Sequence, residues 1–144
     1  MISSLHFYFE GVSDNLKEKR RHKAWLKDVI FQEGRKAGAI NFIFCTDASL
    51  LELNKLYLEH DTFTDVISFD LSDPSKVHAP VDGEIYISLE RVKENAGIFK
   101  VTVAEEMRRV MVHGVLHLMG YVDEKPAQRK AMKDKEDFYL SQFQ

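Results

Sequence analysis

Apolar residues recur with a two-residue period at the start of the chain, where Leu5, Phe7 and Phe9 alternate with more polar neighbours. This period predicts a strand with one buried face. Three later runs are rich in Val, Ile, Phe and Tyr, which favours strands as well. The predicted strands are residues 5–10, 40–45, 64–69 and 84–88.

Other segments place their apolar residues at helical spacing. Two of these predicted helices begin with a capping box, Ser49 with Glu52 and Thr102 with Glu105. The others cover residues 15–32 and 126–143, while residues 71–83, with two prolines, predict a long loop. Together these elements predict one α+β domain over residues 1–144.

The amino-acid composition limits the number of domains, the cellular location and the kinds of metal site that we expect. The chain has 144 residues, 44% hydrophobic and 30% charged, which suits one globular domain with a real core. Because it shows neither a bilayer-spanning apolar run nor a signal-peptide pattern at residues 1–10, we expect a cytoplasmic protein without a membrane partner. Cys45 is the only cysteine, which excludes an internal disulfide and a cysteine-based zinc cluster.

The net charge of -3 and the pI near 6.1 are not those of a strongly basic nucleic-acid-binding domain. Two local basic stretches are interpreted as solvated helix faces. The first contains Lys17, Lys19, Arg20, Arg21, His22, Lys23 and Lys27. The second contains Lys125, Arg129, Lys130, Lys133 and Lys135, mixed with Asp134, Glu136 and Asp137.

The strongest candidate chemistry lies near the C-terminus. His113 and His117 are four residues apart, so on a helix they point the same way. Gly120 can end that helix in a left-handed conformation and let the chain bring Asp123 toward the imidazoles. Three protein ligands are typical of a catalytic zinc site, which keeps one position for water. The alternative is a pair of ordinary polar histidines, a helix cap and an exposed turn carboxylate.

The same spacing occurs in metzincin proteases, which place a glutamate general base directly after the first histidine. Here that position is Gly114, so a peptidase of this type would lack its base. The expected catalytic group is therefore a metal-bound water, and the general base stays unidentified. A carboxylate from elsewhere, such as Glu106 two helical turns before His113, could assist.

Three motifs together resemble the YbeY family of ribosomal-RNA maturation endoribonucleases. They are His113 to Tyr121, Thr64 to Phe69 (TDVISF) and Gly83 to Ser88 (GEIYIS), in matching order and spacing over residues 40–140. The resemblance implies a mixed sheet of about four strands packed with about five helices, and a zincin-like metal helix at a cleft. It also implies a zinc-dependent, single-strand-specific endoribonuclease that matures small-subunit ribosomal RNA and serves ribosome quality control.

Residue by residue, the resemblance places the first two metal ligands on His113 and His117. The third ligand, usually histidine in the family, falls on Asp123. We expect one Zn²⁺ per chain, although two histidines and a carboxylate also suit other divalent metals. The motif residues Thr64, Asp65 and Ser68 are candidate substrate-binding residues.

A second departure concerns phosphate binding. The family commonly has an arginine at the position of Leu58, and Lys55 or His60 could supply positive charge instead. His60 is therefore a further candidate substrate-binding residue. The expected partner is ribosomal RNA, with ribosomal proteins as further candidates, and the oligomeric state stays open. The alternatives to the nuclease are a ribosome-associated binding module with a structural metal and a hydrolase of small substrates.

Overall fold

A mixed sheet forms the centre of the computed structural model, which describes residues 3–58 and 64–143, without the side chain of residue 58. Within those ranges the strands are β1 (Ser4–Phe9), β2 (Ala37–Cys45), β3 (Val66–Asp70) and β4 (Val81–Ser88). Their order is β1-β2-β4-β3. The first three in this order are parallel, and β3 is antiparallel to β4, as the pair Ser68 and Ile85 shows.

The helices within the described ranges are α1 (Lys19–Gln32), α2 (Asp47–Leu58), α3 (Leu89–Phe99), α4 (Val103–Leu118) and α5 (Pro126–Leu140). The predicted α+β fold with a four-stranded mixed sheet and five helices is confirmed. No described helix has the length and apolarity needed to cross a membrane.

The main core lies between one face of the sheet and the buried sides of α1 and α4. On α1, the buried residues Trp25, Leu26, Val29 and Ile30 follow the helical spacing that the sequence predicted. On β4, alternate residues including Ile85 and Ile87 are fully buried. A smaller cluster of Cys45, Leu50 and Ile67 packs separately. Helix α4 thus lies directly on the sheet, which fixes the position of its polar edge.

Several predicted boundaries are wrong. Helix α1 begins at Lys19 rather than near residue 15, and β4 begins at Val81, which shortens the predicted 71–83 loop. The predicted capping box at Ser49 is also wrong, because the Thr46 hydroxyl accepts the hydrogen bond from the Ser49 amide at 3.1 Å and α2 begins at Asp47. Thr46 has the same capping chemistry three residues earlier, which the pattern alone did not resolve.

Helix α3 was not located in the sequence, although it follows β4 without a break. Ser88 caps it by accepting a hydrogen bond from the Arg91 amide. The same kind of cap was correctly predicted for α4, where Thr102 accepts from the Glu105 amide at 3.1 Å. The two helices pack against each other and together form one wall beside the sheet.

Candidate metal centre

His113 and His117 lie on the last turns of α4, with their Nε2 atoms 3.0 Å apart. The Oδ2 atom of Asp123 lies 3.4 Å from each of these nitrogens. The three side chains form a group in which one ligand atom of each lies within 4.8 Å of the others. The structure thus brings together all three residues that the sequence analysis proposed as metal ligands.

The position of Asp123 depends on the turn after α4. Gly120 has a φ of +98°, a left-handed conformation that favours glycine. The Gly120 and Tyr121 amides donate to the carbonyls of His117 and Leu116 at 3.0 and 3.1 Å. These hydrogen bonds close the helix end and turn the chain back toward the histidines, as the position of the glycine predicted.

A hydrogen bond at the far nitrogen orients each imidazole. His113 Nδ1 donates to the Glu136 carboxylate on α5 at 2.6 Å, and His117 Nδ1 donates to the Tyr121 carbonyl at 2.9 Å. With both Nδ1 atoms protonated, both Nε2 atoms present lone pairs to the same point. The Asp123 oxygen adds a third acceptor there, so the group has the donor set of a cation site.

The spacing of these atoms suits a small metal ion. Tetrahedral zinc with bonds of about 2.0–2.1 Å requires ligand atoms about 3.3 Å from one another. The separations of 3.0 and 3.4 Å in the structure are close to this requirement. Nitrogen and carboxylate oxygen are both ordinary zinc ligands, and three protein ligands would leave a position for water on a bound zinc ion.

Glu136 is buried and belongs to a wider network that the sequence did not reveal. Arg109 Nη1 donates to Glu136 at 2.9 Å, and Nη2 of the same guanidinium donates to the exposed Asp137. The solvated face predicted for this part of α5 is therefore wrong for Glu136. Glu136 follows the buried Met132 by four residues, so helical periodicity predicts that both lie on the buried side of α5.

Tyr121 fixes the loop that carries Asp123. Its hydroxyl donates to Glu33, just beyond the end of α1, and the Tyr139 hydroxyl and Lys135 ammonium bind the same carboxylate. Burial acts to raise the pKa of Glu33, but these three donors together outweigh it and hold that pKa below its usual value. The loop is thereby attached to both α1 and α5.

Gly114 explains why no side chain follows His113. A Cβ atom at this position would lie 2.7 Å from Ile85 Cγ2 and 3.2 Å from the Ser68 hydroxyl. The helix contacts the sheet so closely here that a glutamate general base could not be accommodated. The absence of the metzincin base is therefore a consequence of packing in this fold.

The group of His113, His117 and Asp123, called the metal-ligand group for the role proposed below, opens into a cleft of about 840 Å³ between α4, β3 and the loop after α4. Thr64, Asp65 and Ser68 line this cleft, as does Asp123. The Ser68 hydroxyl also donates to the Gly114 carbonyl at 3.2 Å, which ties the strand to the metal helix. His60, the other candidate substrate-binding residue, lies outside the described residues.

The cleft is rich in carboxyl groups whose protonation is perturbed. Burial raises the pKa of Glu106 to about 7, against the effect of Arg109 and with support from Asp65 and Glu136. Burial also raises the pKa of Asp65, although His113 opposes the shift. Burial lowers the pKa of His113, but Glu136, Asp123 and Asp65 outweigh it and raise that pKa overall. The carboxyl groups around His113 therefore favour positive charge at that imidazole.

Comparison with known proteins adds a family to this geometry. The model of the family described as Endoribonuclease YbeY matches residues 10–144. The chain belongs to the Endoribonuclease YbeY family. An Endoribonuclease YbeY from Flavobacterium psychrophilum is 48% identical over 139 residues, covering 96% of each chain. Another from Cytophaga hutchinsonii is 38% identical over 138 residues, covering 96% of this chain and 94% of that protein.

A solved structure shares this YbeY-family fold. The solution structure of TM1509 from Thermotoga maritima matches with a TM-score of 0.64 and 29% sequence identity, covering 97% of this chain and 89% of that one. The family resemblance identified from the three motifs is confirmed.

Proposed function

We propose that this protein is a metal-dependent endoribonuclease that hydrolyses phosphodiester bonds of single-stranded ribosomal RNA. Membership of the Endoribonuclease YbeY family gives the class, an RNA-cleaving hydrolase. The observation that carries the metal requirement is the convergence of three acceptor atoms, from His113, His117 and Asp123, on one point of the cleft. We propose one domain over residues 1–144.

We propose Zn²⁺ as the resident ion, one per chain, held by His113, His117 and Asp123. Two imidazole nitrogens and one carboxylate oxygen at tetrahedral spacing support this choice. A bound metal would activate a water molecule near neutral pH and polarise a phosphoryl oxygen of the substrate. Asp123 in place of the family's usual histidine leaves the site one charge less positive.

The remaining residues have positioning and binding roles in this proposal. Glu136 and the Tyr121 carbonyl hold the imidazoles with their Nε2 atoms facing the cleft. Arg109 holds Glu136 and also lines the cleft. Thr64, Asp65 and Ser68, on the opposite wall, are proposed to contact the RNA strand. His60 remains a prediction from the sequence.

The physiological role we propose is maturation of small-subunit ribosomal RNA and ribosome quality control in a bacterial cytoplasm. Family membership supports this role, and ribosomal proteins are the proposed delivery partners. A cleft of about 840 Å³ leaves room for an unpaired base, which single-stranded RNA can turn out of the stack.

The test combines metal analysis with RNA cleavage on untagged protein. We expect one equivalent of zinc in the parent and its loss in His117→Ala and Asp123→Ala, with cleavage of single-stranded RNA lost in parallel. Glu124→Ala is the matched control, because Glu124 is the adjacent carboxylate but is not part of the ligand group. Metal binding with no cleavage of any RNA would instead support the binding module with a structural metal.

A further inference from the structure

The cleft continues from the metal centre along α4 to the end of α3. Asn95, Phe99 and Glu106 line this second part, which the metal centre does not use. Asn95 and Phe99 are one turn apart on α3, and Glu106 lies on the first turns of α4, which packs against α3. We propose that this part of the cleft, the α3–α4 pocket, binds one nucleobase of single-stranded RNA and prefers guanine. The inference rests on the proposed function.

Glu106 provides the first argument. Its side chain is only 3% exposed, yet among the described residues none donates a hydrogen bond to its carboxyl group. Buried carboxyl groups in folded proteins normally have such partners. The charged groups near Glu106 are Arg109, Asp65 and Glu136, of which only the arginine is positive. The Arg109 guanidinium forms ion pairs with Glu136 and Asp137. A donor supplied by a ligand would complete the pocket.

Phe99 provides the second argument. This aromatic ring is 60% exposed at the C-terminal end of α3 and lines the same cleft as Glu106. Single exposed aromatic residues are common, but this ring shares a cleft with a carboxyl group that has no described donor, which makes it a candidate for base stacking. RNA-binding proteins read unpaired bases in this way, by stacking the base on an aromatic ring and hydrogen-bonding its edge.

Guanine fits the hydrogen-bonding groups of the α3–α4 pocket. Its Watson–Crick edge presents two adjacent donors, N1–H and the exocyclic amino group, which a carboxylate can accept together. Adenine, cytosine and uracil do not present two adjacent donor groups on that edge. The guanine O6 atom, next to N1, is an acceptor that the Asn95 amide can satisfy. The preference therefore follows from the acceptor pair of Glu106.

The distance along α4 argues for base recognition rather than proton transfer. Glu106 and His113 are seven residues apart, which puts them on the same helix face about 10 Å apart. A general acid or base must lie within about 3 Å of the proton that it moves, or act through one water. The position of Glu106 two helical turns before His113 therefore favours contact with a base over proton transfer at the histidines. In a nucleotide the sugar separates the base from the phosphate. A base can therefore contact Glu106 while a phosphate of the same strand lies near His113 and His117.

The test measures binding separately from cleavage. His117→Ala serves as the non-cleaving protein, and its affinity for fluorescent oligouridines at pH 8 is measured by anisotropy, with one central guanosine, inosine, adenosine or cytidine. We expect guanosine to improve affinity about tenfold or more over the all-uridine strand, and inosine, which lacks the exocyclic amino group, to lose most of that gain.

Substitutions assign the effect to the pocket. Adding Glu106→Gln, which keeps the shape but replaces one acceptor, should abolish the guanosine advantage. Phe99→Ala should weaken binding of every strand about tenfold. Glu105→Gln, at the adjacent exposed position, should leave the preference intact. Equal affinity for all strands, or a guanosine preference that survives Glu106→Gln, would overturn the inference.

Cleavage distinguishes this inference from the proposed function. The parent enzyme with zinc should cut the guanosine strand at a fixed offset from the guanosine. Guanosine-selective binding with no cleavage by the parent would uphold the pocket and reject the nuclease. Cleavage that shows no dependence on the base, together with equal binding, would uphold the nuclease and reject the pocket.

Discussion

The Glu136 carboxylate accepts a hydrogen bond from His113 Nδ1 at 2.6 Å, although the two residues lie 23 positions apart and on different helices. The same carboxylate accepts from Arg109 at 2.9 Å and is buried. Helix α5 thereby fixes the orientation of the His113 imidazole on α4. This helix thus supports the group of side chains that is proposed to hold a metal.

Glu136→Gln tests this relationship. The amide retains the size of the side chain but removes the charge that orients and polarises His113, so we expect zinc affinity to fall by about 10- to 100-fold. Competition with a chromophoric chelator measures the affinity. The matched control is Asp137→Asn, because Asp137 is the other partner of Arg109 and has no contact with His113 in the described structure. Equal losses in both variants would assign the effect to Arg109 instead.

Gly114→Ala tests the close contact between α4 and the sheet. The new Cβ would lie 2.7 Å from Ile85 Cγ2, so we expect a destabilisation of about 1–3 kcal/mol from overpacking. Urea unfolding measures the change. Gly97→Ala on α3 is the control, because the Cβ that alanine adds there would meet no atom within 4 Å and the substitution should be neutral or stabilising by up to about 1 kcal/mol. A neutral Gly114→Ala would mean that the helix can shift without cost.

Glu106 predicts a pH dependence of stability. The carboxyl titrates near 4.5 when unfolded and near 7 when folded, so between these values the folded state holds a proton that the unfolded chain has lost. The free energy of unfolding should therefore decrease as the pH rises from 4.5 to 7, by about 2–3 kcal/mol from this group, and level off above pH 7.

Glu106→Gln isolates that contribution, because the amide does not titrate. Urea unfolding of the parent and the variant from pH 4.5 to 8 should give curves that differ in slope below pH 7 and run parallel above it. Parallel curves over the whole range would show that the carboxyl keeps an ordinary pKa in the folded protein.

Zinc should stabilise the folded protein through the three-ligand group. At a free zinc concentration about 100 times the dissociation constant, the expected gain is about 2.7 kcal/mol, with a higher melting temperature. Asp123→Ala should lose most of this gain and Glu124→Ala should retain it, because only Asp123 reaches the two imidazoles. Differential scanning calorimetry with and without chelator makes the comparison. A gain that persists in Asp123→Ala would place the zinc elsewhere.

Local patterns in the sequence determined the four strands, four of the five described helices, the α+β class and the grouping of His113, His117 and Asp123. These features depend on short-range periodicity, on the four-residue spacing of His113 and His117 and on a glycine that ends the helix. The family could also be identified, because its motifs are contiguous. Boundaries were less certain, since Thr46 and Ser49 offer the same capping chemistry within one turn.

Tertiary structure alone decided which distant residues support the site. Glu136 was interpreted as part of a solvated face, yet packing of α5 on α4 buries it against His113 and Arg109. The sequence also could not show that Gly114 lies against Ile85, or that Phe99 and Glu106 line one cleft. Spacing along one helix specifies which side chains share a face, whereas contacts between elements depend on how the sheet and helices pack together.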